Sequence, residues 1–130
     1  MQTRTTIKIE FNPEFQRALD LMEGTNRHLF ITGRAGTGKS TLLNYFQKHT
    51  EKNVAILAPT GVAAVNVGGQ TIHSFCGFKP DVTLQAIRRK RKKSDQSLYK
   101  KFDTIVIDEV SMARADLLDC VDRFLRLNGP

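Results

Sequence analysis

Residues 33–40 read Gly-Arg-Ala-Gly-Thr-Gly-Lys-Ser, and glycines, a lysine and a hydroxyl at that spacing suit the cradling of a phosphate. Glycine lets the backbone wrap an anion closely, since no Cβ blocks the approach. The N–H groups of such a loop, and of the first turn of a helix behind it, point at the anion. Lys39 then reaches the outer phosphates as a point charge, and the Ser40 hydroxyl is a ligand for Mg²⁺. The pattern G-x-x-x-x-G-K-[ST] therefore predicts nucleotide binding through Gly33, Ala35, Gly36, Thr37, Gly38, Lys39 and Ser40. A plain glycine turn ahead of a helix is the bland alternative, and the apolar run before the loop argues against it.

A second group able to do chemistry is Asp108-Glu109, at the end of the apolar run Thr104-Ile105-Val106-Ile107. An acid at the C-terminal end of a parallel strand sits where α/β proteins bind ligands. Asp108 can complete the shell of the Mg²⁺. Glu109 can polarise a water for attack on the terminal phosphate as a general base. By itself such a pair does no more than open a loop. Beside a phosphate loop, Lys39, Asp108 and Glu109 become a candidate catalytic set, and a carboxylate placed for water points to hydrolysis.

The elements that must position these groups follow from periodicity. Asn12-Pro13-Glu14 has cap, first-turn proline and acid in helix-opening order, and Phe15, Ala18, Leu19, Leu21 and Met22 continue at helical spacing until Gly24. Leu29-Phe30-Ile31 reads as a short buried strand ahead of the glycine loop. Lys39 to about His49 reads as a helix with Leu42, Leu43 and Phe46 inward. Val54 to Leu57 is a second strand ended by Pro59, and a short helical stretch follows within 61–69. Val82 to about Lys93 reads as a basic amphipathic helix, Thr104 to Ile107 as a third strand, and Asp116 to Leu127 as a helix with Leu117, Leu118, Val121 and Leu125 at core spacing. Strands alternating with helices predict an α/β fold with a parallel sheet.

Composition bounds the rest. The chain has 130 residues, 40% of them hydrophobic, enough for one domain with a core, and a formal net charge of +7. All of that excess lies between Arg88 and Lys101, where eight basic residues stand with Asp95 alone against them. A local cluster of this kind draws polyanions, though it is also a common solvated face. No apolar run approaches the length of a membrane span, and no secretory signal pattern opens the chain, so no membrane partner is expected. Cys76 and Cys120 match neither a zinc spacing nor a disulfide framework; small buried hydrophobes in a reducing cytosol are the expectation.

Between the two acidic and glycine motifs stands APTGVAAVNVGGQTIHSF, residues 58–75. Together with GRAGTGKS and IDEVSM, this order resembles the Pif-type, RecD-like branch of superfamily 1B DNA helicases over about 12–127. The resemblance implies a RecA-like P-loop NTPase fold, a three-layer α/β/α sandwich, and ATP with Mg²⁺ as cofactors. It implies that Gln16, in NPEFQ, bonds the adenine edge, and that the phosphate motif runs on to Thr41. It further implies that Pro59, Thr60 and Gly61 belong to a motif contacting the backbone of single-stranded DNA, a role for which a hydroxyl and exposed N–H groups are suited. His73 and Phe75 follow as candidates for further strand contact or for holding that loop; Phe75 could stack on a base, and core packing is the competing reading. Ala113 departs from the family, which has a larger apolar residue after Met112.

The same resemblance implies a 5′→3′ helicase of DNA repair, recombination or telomere maintenance, acting in the cytoplasm or nucleoid, or in the nucleus or mitochondrion of a eukaryote. The third motif of the family, GDxxQLPP, has no counterpart in these residues. Residues 1–130 are thus expected to form a single, incomplete RecA-like domain that alone hydrolyses ATP poorly and does not unwind. Two other classes stay open: another P-loop enzyme such as a nucleotide kinase, and a non-enzymatic nucleic-acid-binding module.

Overall fold

The computed structural model describes residues 13–32, 38–88 and 98–130. They fall in two compact units, Met1–Glu51 and Lys52–Pro130.

The first unit is built on two helices, α1 (Pro13–Gly24) and α2 (Lys39–His49). Pro13 takes a first-turn position where its missing N–H is not needed, and Glu14 faces the positive end of the dipole. Leu19, Leu42 and Phe46 are buried, and Phe15 meets Tyr45 edge-on at 6.2 Å. Thr50 Oγ1 donates to Glu23 Oε2 at 2.6 Å, tying the ends of the two helices. The strand expected at Leu29-Phe30-Ile31 is absent. Residues 25–32 are irregular and Phe30 is 73% exposed. An apolar run becomes a strand only where another strand takes up its backbone donors and acceptors, and no described strand pairs with this one.

The second unit holds a parallel three-stranded sheet, β1 (Val54–Ala58), β2 (Gln70–Thr71) and β3 (Thr104–Ile107), in the order β2-β1-β3. Around it lie α3 (Gly61–Asn66), α4 (Ile72–Cys76) and α5 (Ala115–Asn128). Central β1 is buried from Ala55 to Ala58, the continuous apolar run of a strand covered on both faces. Its register with β3 runs from Val54↔Thr104 to Leu57↔Ile107. A clamp sets that register: Asp103 Oδ2 accepts from Asn53 N at 2.9 Å, and Asn53 O accepts from Asp103 N at 2.9 Å. On the β2 side, a Cβ on Gly69 would stand 2.2 Å from Ile56 O, so only glycine fits the return from α3.

The core of this unit joins Ala55 and Leu57 to α4, α5 and the residues preceding β3. Four rings interlock edge-on: Phe75 with Tyr99 at 5.3 Å, Phe75 with Phe102 at 5.5 Å, and Tyr99 with Phe124 at 4.8 Å. The buried Tyr99 hydroxyl donates to Phe75 O at 2.8 Å. Cys76 and Cys120 are buried in this core and form no disulfide, as expected. Burial pushes the Cys120 thiol pKa up, and the carboxylates of Asp116 and Asp119 add to it.

One expected helix is corrected. Residues 82–88 hold only a 3₁₀ turn, Leu84–Ala86; positions 89–93 of that expectation lie outside the described residues. Ile87 turns extended to bury its side chain at 3% exposure, and Arg88 Nη1 takes the carbonyls of Gln85 and Ile87, acceptors a helix would use. No helix of the described residues is long and apolar enough to cross a membrane.

Candidate functional site

In the first unit the described residues expected to meet phosphate stand at the start of α2. Gly38 is left-handed, φ 96°, a conformation that favours glycine, and its carbonyl opens the helix by accepting from Leu42 N at 2.8 Å. Having no side chain, it leaves the first-turn N–H groups uncapped at the positive end of the macrodipole, the arrangement that binds anions. Lys39 and Ser40 are exposed in that first turn and Thr41 is half-buried. Gly33, Ala35, Gly36 and Thr37 lie outside the described residues. Gln16 stands exposed on α1, its Nε2 donating to Asp20 Oδ1 at 2.8 Å.

The second unit gathers the other expected residues on one sheet edge. Asp108 N donates to Leu57 O at 2.8 Å, prolonging the β1–β3 ladder by one step, so Asp108, just past β3, lies beside Ala58, the last residue of β1. Adjacent strands stand about 4.8 Å apart. The carboxylates and Pro59-Thr60-Gly61 are therefore neighbours at the C-terminal edge of the sheet, the edge where open α/β sheets take ligands.

Local structure prepares each of these residues. Thr60 caps α3, its Oγ1 accepting from Ala63 N at 3.2 Å. The hydroxyl proton is then directed away from the helix, and Thr60 and Gly61 are both exposed. Asp108 is half-buried and Glu109 exposed. Glu109 has φ 54° and ψ 40°, the one left-handed non-glycine among the described residues. That conformation costs about 1–2 kcal/mol for an L-residue with a side chain, and strain of this kind gathers at functional sites.

A family model described as PIF1-like helicase matches residues 12–127. The chain belongs to the PIF1-like helicase family. It is 38% identical to the ATP-dependent DNA helicase PIF1 of Saccharomyces cerevisiae over 95% of its own length and 15% of that protein. It is 40% identical to the ATP-dependent DNA helicase Pif1 of Bdellovibrio bacteriovorus over 81% of its length and 25% of that protein. Among solved structures it resembles a Pif1 helicase from Bacteroides in complex with ADP-AlF3 and ssDNA, with a TM-score of 0.80, 36% identity, and coverage of 92% of this chain and 28% of that one. The chain thus spans about a quarter or less of the relatives it matches, and its fold is that of their RecA-like domains.

In this PIF1-like chain the TIHSF stretch divides in two. His73 is half-buried on α4, its ring edge-on to Phe78 at 6.5 Å. Phe75 is 6% exposed and held by two other rings. A ring so enclosed has no face to offer a base, so Phe75 is corrected from a candidate DNA contact to the core residue that holds the loop. Sequence reasoning missed α4 altogether, although Thr71 caps it through Ser74 N at 3.1 Å and left-handed Gly77 ends it. Those two residues were the available signal. It also missed Tyr99, for which no periodic pattern exists.

Proposed function

We propose that this chain is the ATP-binding segment of an ATP-dependent 5′→3′ DNA helicase, which hydrolyses ATP to translocate on single-stranded DNA in genome maintenance. The observation that carries the reading is the shared edge: the Asp108-Glu109 pair and the Thr60-Gly61 pair leave adjacent strands side by side. A change in what the carboxylates hold can thus be felt two residues from where a strand is gripped. The names of the relatives support the same activity, since both are ATP-dependent DNA helicases and the solved neighbour was captured with ADP-AlF3 and ssDNA.

The residues divide the work. The first turn of α2 binds phosphates through its N–H groups, with Lys39 adding a positive charge. Glu109, exposed beyond β3, orients and deprotonates water. Thr60 and Gly61 donate to the phosphodiester backbone of the strand. The donors suited to a magnesium ion are hard oxygens, the Ser40 hydroxyl and the Asp108 carboxylate. Among the described residues no group of three or more His, Cys, Asp or Glu could hold a metal by itself. The ion would therefore rely on phosphate oxygens of the substrate, as Mg²⁺ commonly does, and when bound it neutralises charge on those phosphates.

The test is ATPase activity with and without single-stranded DNA, using Lys39→Ala and Glu109→Gln as controls. Stimulation by the strand that disappears in both variants supports the motor reading. Strand binding unchanged in both variants, with no turnover in the parent chain embedded in its full-length protein, would refute it in favour of a binding module.

A further inference from the structure

The charge excess at 88–101 takes no part in the site above, and the fold shows where its ends are held. Residues 98–103 lead directly into β3, and the Asn53–Asp103 clamp fixes that entry beside the start of β1. The other end is fastened to the C-terminal turn of α5, where the buried Asn128 Nδ2 donates to Arg88 O at 3.3 Å and to Phe124 O at 3.0 Å. Phe124 in turn packs on Tyr99 at 4.8 Å, so both anchors lie at the N-terminal edge of the sheet. That is the edge opposite Thr60 and Asp108, separated from it by the five residues of β1, about 17 Å at 3.3 Å per residue.

Among the described residues the cations there have no carboxylate to answer them. Arg88, Lys100 and Lys101 are exposed, and among the described residues none forms an ion pair. Among the described residues Arg88 Nη1 meets the neutral carbonyls of Gln85 and Ile87, and Lys101 Nζ lies 5.3 Å from the Phe102 ring centre. Asp103, the acid nearest in sequence to Lys100 and Lys101, spends its carboxylate on Asn53 N. Uncompensated basic charge fixed to a rigid edge is what phosphate neutralisation requires.

We propose that the N-terminal edge of the sheet is a second nucleic-acid contact, in which Arg88, Lys100 and Lys101 bind phosphodiester groups on the far side of the domain from the Thr60 edge. The contact needs neither nucleotide nor hydrolysis, so it is independent of the motor reading.

The test is a salt titration of binding by the full chain, without nucleotide, to a fluorescein-labelled 20-nucleotide single strand followed by anisotropy. The variant is Arg88→Gln/Lys100→Gln/Lys101→Gln, with its melting curve recorded alongside. Losing three phosphate contacts lowers the slope of log K against log salt by about 2, at roughly 0.7 per phosphate. Going from 50 to 200 mM salt should then weaken the variant about 20-fold less than the parent. Should the triple variant fail to fold, Lys100→Gln and Lys101→Gln separately should each lower the slope by about 0.7. An unchanged slope in folded variants overturns the proposal. So does an unchanged slope accompanied by lost binding to phosphatidylserine vesicles, which would assign the edge to a lipid surface. A lowered slope in a chain without ATPase activity would uphold the contact while the motor reading fell.

Discussion

Removing one oxygen atom at Tyr99 should destabilise this chain measurably. The hydroxyl donates to Phe75 O at 2.8 Å in a buried setting, and it is the partner that carbonyl has among the described residues. Tyr99→Phe keeps the ring at 5.3 Å from Phe75 and 4.8 Å from Phe124, so the edge-on packing survives. What remains is a buried carbonyl without a donor, a loss of about 1–3 kcal/mol. For a chain of this size that is a fall of roughly 4–12 °C in melting midpoint. Urea unfolding followed by circular dichroism should show a lower midpoint at unchanged m, the signature of lost stability without a changed denatured state. Tyr99→Leu should fall further by about 1–3 kcal/mol, since two aromatic pairs are lost as well. A Tyr99→Phe variant within about 0.3 kcal/mol of the parent would refute the reasoning, because the carbonyl would then have another donor.

Three further outcomes are expected. Gly69→Ala should lower the unfolding free energy read from urea denaturation by about 2 kcal/mol or more, because the added Cβ would meet Ile56 O at 2.2 Å and β1 cannot move aside. Glu109→Gly should be more stable than Glu109→Ala by up to about 1 kcal/mol by thermal melting, since only glycine adopts φ 54° without strain; both should lose turnover. Cys76 and Cys120, 1% and 2% exposed, should resist a thiol reagent at neutral pH in the folded chain and react once it is denatured, with Cys120 further protected by its raised pKa.

Where local chemistry decided the outcome, the sequence was a sufficient guide. Gly38-Lys39 marks the start of α2 because a left-handed glycine and an exposed first turn are local requirements. Strands β1 and β3 were readable because apolar runs of four or five residues find partners in each other. Leu29-Phe30-Ile31 has the same composition and is no strand, since pairing is a property of two segments and not of one. The two residues of β2 are too few to carry a pattern, and only the register Leu57↔Gln70 makes them a strand. Ile87 shows tertiary burial overriding helix propensity. At the site, the residue types and the edge were legible. The enclosure of Phe75 was not, because it depends on Tyr99 and Phe102, more than twenty residues away.

The parallel register of the sheet also sets an order of assembly. Leu57 pairs with Gln70, 13 residues on, and with Ile107, 50 residues on. Closing the longer loop costs about 1.2 kcal/mol more in chain entropy, by the 3/2 RT ln n scaling. We therefore expect the β1–α3–β2 crossover to form first and β3 to dock last, bringing Asp108 and Glu109 to an edge that Thr60 already occupies. Pulse-labelled hydrogen exchange during refolding would read this as early protection at Thr71 and late protection at Asp108; simultaneous protection would contradict it. On the proposed reading, the carboxylates would then reach the C-terminal edge of the sheet only after the residues proposed to grip the strand were already in place there.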